Sequence, residues 1–327
     1  MTANLSKVPS LTNKVISEVE KAVIGKRPLL EKIMAAILVS GGHLLLEDYP
    51  GLGKTLIAKS FAQVLGLDFR RIQFTPDLLP SDITGGYMFN RNKNSFDLHK
   101  GPIFANIILA DEINRASPKT QSALLEAMQE QQVTLEGETM KLPEPFIVIA
   151  TQNPLEYEGT FPLPEAQLDR FIMKLSLGYP SVEVEQAILR RRSKREKDNI
   201  ELTRMATTDA ILEIRQEVER IHMDQTLEAY IVAIINKTRS NRQVTVGASP
   251  RGSLSLLMLS KALAGLQGRN YVIPDDIKHF VIPALHHRLI LDSDLWLIPG
   301  ASAEIITKIV EATPVPVIED MELSLET

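Results

Sequence analysis

Lys54 and Thr55 close the run Asp48-Tyr49-Pro50-Gly51-Leu52-Gly53-Lys54-Thr55, a set of residue types that can hold phosphate. Such a glycine loop turns successive backbone N–H groups toward one point, and a helix starting at its end adds the positive pole of its dipole. Lys54 can reach β- and γ-phosphate oxygens, and the Thr55 hydroxyl is a hard oxygen ligand for Mg²⁺. Pro50, Gly51, Leu52, Gly53 and Leu56 would wrap the phosphates with them. The general pattern is G-x-x-x-x-G-K-[ST], and Asp48 stands in place of its first glycine. Asp tolerates unusual φ better than most side chains, so the loop is still expected to form.

Two carboxylates end a second chemical segment, Asn106-Ile107-Ile108-Leu109-Ala110-Asp111-Glu112. In a P-loop ATPase such an apolar strand lies beside the P-loop strand. Its terminal Asp111 would hold Mg²⁺, and Glu112 would polarise the attacking water. A third apolar run, Phe146 to Ala150, carries the tip Thr151-Gln152-Asn153. The Asn153 amide can hydrogen-bond a water or a γ-phosphate without adding charge. Arg170 and Arg251 complete the set, because guanidinium groups stabilise charge on a transferring phosphoryl group.

The elements that must position these residues follow from periodicity. Leu44-Leu45-Leu46 is a strand before the loop, and Leu56 to Leu65 is an amphipathic helix after it. Strand and helix patterns alternate through the first part of the chain, which implies α/β organisation with a parallel sheet. Ser10 to Leu38 has helical periodicity broken near Gly25 and Pro28. Two insertions interrupt the alternation. One is Pro80 to Gly101, with strand-like Phe96-Asp97-Leu98. The other is Val133 to Leu142, a β-hairpin about Glu136-Gly137. Gly178-Tyr179-Pro180 is expected to end the sheet domain, giving domains at 1–180 and 181–327. Helices are expected over 211–221, 230–238, 251–264 and 274–286, an all-helical second domain.

This ordered set resembles the AAA+ ATPases and, within them, the MoxR family. Leu109 to Glu130, Arg71 to Asp82 and Leu163 to Phe171 are each similar to a family signature, and the likeness runs from Val23 to Pro316. The resemblance implies a Mg²⁺-dependent ATPase with ATP and Mg²⁺ as cofactors. It implies that Val23, Ile24 and Gly25 line the adenine pocket, and that Lys54 and Thr55 are Walker A. Asp111 and Glu112 would be Walker B, and Asn153 sensor 1. Arg170 would be the arginine finger reaching the neighbouring subunit's nucleotide, and Arg251 a sensor 2 reaching the nucleotide of its own subunit. It further implies a ring, most often a hexamer, with both insertions facing the pore. A chaperone-like role in cofactor or metal insertion is implied, with a partner bearing a von Willebrand A domain.

Composition narrows the alternatives. The 327 residues contain no cysteine, which excludes disulfides, thiolate metal sites and a cysteine nucleophile. Hydrophobic content of 44% suits a globular chain with two domains. No apolar run approaches a membrane span, and Met1 to Lys7 lacks the apolar region of a signal peptide, so a cytoplasmic protein is expected. The basic run Arg190-Arg191-Arg192-Ser193-Lys194-Arg195 reads as a solvated helix end. The net charge of −5 and aromatic content of 5% argue against a nucleic-acid surface. His286-His287 lack a carboxylate at metal-binding spacing and read as surface or interface residues. The acidic tail from Glu319 to Thr327 reads as solvated. Two rival functions remain: a nucleic-acid motor of the same superfamily, and a nucleotide-dependent scaffold that does not hydrolyse. Glu112 and Arg170 argue against the second, because a pure binder needs neither.

Overall fold

The computed structural model describes residues 7–154, 159–296 and 298–316. Met1 to Ser6 and the acidic tail lie outside them. Among the described residues, nine strands belong to the first part of the chain. These are β1 (Leu44–Glu47), β2 (Phe69–Gln73), β3 (Gly85–Asn90), β4 (Ser95–Lys100), β5 (Ile107–Asp111), β6 (Gln132–Leu135), β7 (Glu138–Lys141), β8 (Ile147–Gln152) and β9 (Met173–Leu175). Five form one parallel sheet in the order β2-β5-β8-β1-β9.

The continuous apolar runs of β1, β5 and β8 exist because both faces of the sheet are covered. Successive side chains alternate between faces. Leu44, Leu46, Ile107, Leu109, Ile147 and Ile149 join one core, with helices α1 (Lys7–Val19), α2 (Arg27–Ile37) and α3 (Lys54–Leu65). Leu45, Ile108, Ala110, Val148 and Ala150 join the other. On that second side α4 (Pro80–Thr84) packs on α5 (Pro118–Glu130), which supplies Leu124, Leu125 and Met128. The two insertions form antiparallel hairpins, β3–β4 and β6–β7.

After the short helix α6 (Glu165–Leu168) and strand β9 the chain becomes helical. It continues through α7 (Val182–Arg195), α8 (Thr208–Glu219), α9 (Gln225–Ser240), α10 (Pro250–Leu266), α11 (Pro274–Leu285), α12 (Ser293–Trp296) and α13 (Ala301–Glu311). Among the described residues, only the small pair β10 (Val244–Val246) and β11 (Ile290–Leu291) interrupts it. Helix α10 is central. It packs on α8, α9 and α11, and also on α1 and α2 of the first domain. The fold is therefore an α/β domain with a helical lid, the architecture the AAA+ resemblance implies, joined through one continuous apolar core.

His287 departs from a surface reading. It is buried, its Nε2 lies 3.1 Å from the Phe171 carbonyl, and burial pushes its imidazole well below the ordinary range. Beside it the buried Arg288 donates to Asp169 Oδ1 and to the carbonyls of Phe171 and Asp169. These contacts fasten the lid to the chain that enters β9.

Candidate nucleotide site

Strands β5, β8 and β1 are consecutive and parallel, so their C-terminal ends open on one edge of the sheet, where α/β proteins place their ligands. The Asp111 strand β5 is not beside the P-loop strand β1 as expected, because β8, which carries the Asn153 tip, pairs with both and stands between them. The loop after β1 uses Gly51 and Gly53 at φ +83° and +89°, and nothing lies within 4 Å of where a Cβ would sit on either. Gly53 caps α3 in the left-handed conformation. A cavity of about 440 Å³ opens there, lined by Gly53, Lys54, Thr55, Asp111, Glu112 and Asn153. Pro50, Gly51, Leu52 and Leu56 also face it. Lys54 Nζ donates to the Asp48 carbonyl at 2.6 Å.

Asp48 forms the loop for a different reason from the one its tolerance of unusual φ suggests. Its φ is not positive. Asp48 is 5% exposed, and its carboxylate accepts from Ser176 Oγ at 2.7 Å and from the amides of Leu177 and Gly178. The start of the phosphate loop is thereby tied to the exit of β9. Lys26 holds the same segment from the other side, donating to the carbonyls of Leu177 and Gly178.

Asp111 is 8% exposed, and both its oxygens are engaged. Thr151 Oγ1 donates to Oδ1 at 2.7 Å, while Arg71 donates to Oδ2 from Nε at 2.9 Å and Nη2 at 2.6 Å. Glu112 stands at φ +56°, directly after β5, which turns its side chain out of the strand register into the cavity. Its Oε2 accepts from Gln73 Nε2 at 2.7 Å and Arg115 Nη1 at 3.1 Å. Arg71, Gln73 and Arg115 were not among the residues expected here. Arg71 and Gln73 are two apart on β2 and so share a face.

The donor set fits Mg²⁺. Asp111 and the Thr55 hydroxyl are hard oxygens facing one cavity beside a phosphate loop. Among the described residues no cluster of three or more His, Cys, Asp or Glu could hold a metal alone. Mg²⁺ shares its coordination among one or two protein oxygens, phosphate and water, so this sparse set suits it.

A second cavity of about 410 Å³ adjoins the first across Gly51, Leu52, Gly53 and Leu56. Val23, Ile24 and Ile188 line it, with Arg191, Arg192 and Arg195 from α7. The basic run is thus partly the wall of this cavity. Gly25, expected beside Val23 and Ile24, does not line it; it stands at φ +70°, where a Cβ would lie 2.6 Å from Val184.

Arg170 and Arg251 lie elsewhere. They share a third cavity with Asp169, Gln129 and Arg288, and neither lines the P-loop cavity. Arg170 Nη1 donates to the Leu125 carbonyl at 2.6 Å, and its buried Nε has no hydrogen-bond partner among the described residues. Arg251 donates to Gln129 at 3.2 Å, 3.9 Å from Asp169.

Comparison with known proteins agrees with this architecture. Residues 43–173 match the model of the ATPase family associated with various cellular activities, and residues 236–309 match the AAA lid domain. The chain is 40% identical to the chaperone MoxR1 of Mycobacterium tuberculosis, covering 93% of this chain and 82% of that protein. It is 48% identical to the uncharacterised protein YeaC of Bacillus subtilis, covering 94% and 95%. A crystal structure of a candidate ATPase from Cytophaga hutchinsonii superposes with a TM-score of 0.88 at 41% identity, covering 95% of this chain and 98% of that one. With its sheet order, phosphate loop and lid, the chain belongs to the MoxR family of AAA+ ATPases.

Proposed function

We propose that this chain binds and hydrolyses ATP with Mg²⁺ and uses the cycle to remodel a partner protein. The observation that carries the reading is one cavity lined together by Lys54, Thr55, Asp111, Glu112 and Asn153. Loop amides and Lys54 neutralise the β- and γ-phosphates. Thr55 and Asp111 would hold Mg²⁺, which supplies charge stabilisation on the phosphoryl oxygens. Glu112 takes a proton from the attacking water once its Oε2 is released from Gln73 and Arg115. Asn153 orients that water or the γ-phosphate. Val23 and Ile24 pack against adenine, in the cavity that continues from the loop.

Arg170 and Arg251 share a cavity apart from the P-loop, which favours both acting on a neighbouring subunit's nucleotide. For Arg251 this stands as an alternative to the expected sensor 2 role within its own subunit. A site completed in this way needs a ring, and a hexamer is proposed. The chaperone name of the Mycobacterium tuberculosis relative supports a remodelling role. Cofactor or metal insertion, a von Willebrand A domain partner and a cytoplasmic setting belong to the same proposal. No described helix is long and apolar enough to cross a membrane.

The test pairs binding with turnover. Lys54→Ala should lose tight ATP binding by calorimetry. Glu112→Gln should keep binding and lose phosphate release. Normal turnover in Glu112→Gln would overturn the assignment of the base.

A further inference from the structure

We propose that Arg71 is a positioning residue that couples the metal side of the site to its water-activating side. The inference rests on the assignment of Asp111 and Glu112 proposed above. Arg71 lines the P-loop cavity with its side chain 49% exposed. Two of its nitrogens donate to Asp111 Oδ2, and Nη2 also donates to Gln73 Oε1 at 2.6 Å. A guanidinium only donates and a carboxylate only accepts. Gln73 must therefore turn its oxygen to Arg71 and its amino group to Glu112 Oε2. Strand register makes the chain of contacts possible, since Gln73 is the partner of Asp111 across β2 and β5.

The consequence follows from charge. Arg71 and a divalent cation draw on the same carboxylate and repel each other. Arg71 must loosen its hold on Oδ2 when Asp111 takes the cation. Gln73 then loses the group that fixes its amide, and Glu112 loses a fixed donor. Metal binding at one carboxylate is thereby communicated to the other over a path of two side chains. Thr151 keeps its bond to Oδ1, so Asp111 stays oriented while its other oxygen changes partner.

The experiment measures Kd for N-methylanthraniloyl-ATP on the full chain, with EDTA and with saturating Mg²⁺. The ratio of the two constants is the coupling between metal and nucleotide. Removing a competing charge-assisted hydrogen bond should raise that ratio about tenfold in Arg71→Ala. An unchanged or lowered ratio overturns the proposal, since a purely structural Arg71 would not move it. Arg71→Lys keeps the charge without the fork that bridges Asp111 and Gln73. Its ratio should stay within about threefold of wild type, and its kcat should match that of Gln73→Leu. A wild-type kcat in either variant overturns the link through Gln73. If wild type binds no nucleotide in either buffer, the site assignment itself fails and this inference fails with it.

Discussion

Asp48→Gly restores the general phosphate-loop pattern and should nevertheless damage the protein. The carboxylate accepts three hydrogen bonds, from Ser176 Oγ and the amides of Leu177 and Gly178, at a position almost closed to water. Bonds to a charged acceptor contribute about 1.5–3 kcal/mol each, and part of that returns when the buried charge is removed. Glycine adds about 0.5–1 kcal/mol of chain entropy. The net loss should be about 3–5 kcal/mol, read from urea denaturation followed by circular dichroism. Asp48→Asn keeps one acceptor oxygen and should lose about half as much. ATP affinity should fall with stability, because the loop loses its anchor to the exit of β9. A stability for Asp48→Gly within about 1 kcal/mol of wild type, or tighter ATP binding, would show that the carboxylate does not anchor the loop.

Asn153→Ala should lower kcat by ~10²-fold and leave Kd for ATP nearly unchanged, as expected for one preorganised donor, checked by phosphate release beside calorimetry. Arg288→Met removes a buried donor from the Asp169 carboxylate and the Phe171 carbonyl, while Asp169 keeps the Ser249 hydroxyl, and should cost about 1–3 kcal/mol in chemical denaturation. Burial lowers the His43 imidazole from 6.5 to about 4. Its Nδ1 accepts from the Val148 amide and its Nε2 donates to the Met128 carbonyl, so only the neutral ring fits. The unfolded chain takes up the proton first. Stability from this group is therefore complete above pH 6.5 and falls by about 3 kcal/mol on the way to pH 4. His43→Gln should flatten that slope in urea titrations across the range.

The sequence made the inner strands legible because they are buried on both faces and read as unbroken apolar runs. The edge strands were not. Phe69–Gln73 carries Arg70 and Arg71 and pairs only with β5, so its pattern is mostly polar. Met173–Leu175 is three residues long and pairs only with β1. Helix α7 buries no side chain, which leaves periodicity nothing to report and made its arginines look merely solvated. At the site, the residues with motif spacing were found, and their supports were missed. Ser176 lies 128 positions from Asp48, and Arg71 lies 40 from Asp111. Such partners meet through register and strand order, which local sequence does not encode. The one available hint was Arg71 and Gln73 two apart at a strand end. Arg170 and Arg251 could be named from their motifs, but only the fold shows them sharing a cavity away from the P-loop.

The proposed hydrolytic site joins Glu112 of one subunit to Arg170 of its neighbour. Arg170→Ala and Glu112→Gln should each bind ATP and release almost no phosphate, since an arginine finger can contribute 10³–10⁵ in kcat. The decisive measurement is phosphate release from rings assembled by mixing the two variants, with mixing verified by subunit exchange. Some interfaces then join an intact Glu112 to an intact Arg170, and turnover should return well above that of either variant alone. Mixed rings that stay as inactive as their parents would mean that Arg170 works within its own subunit or only holds the fold.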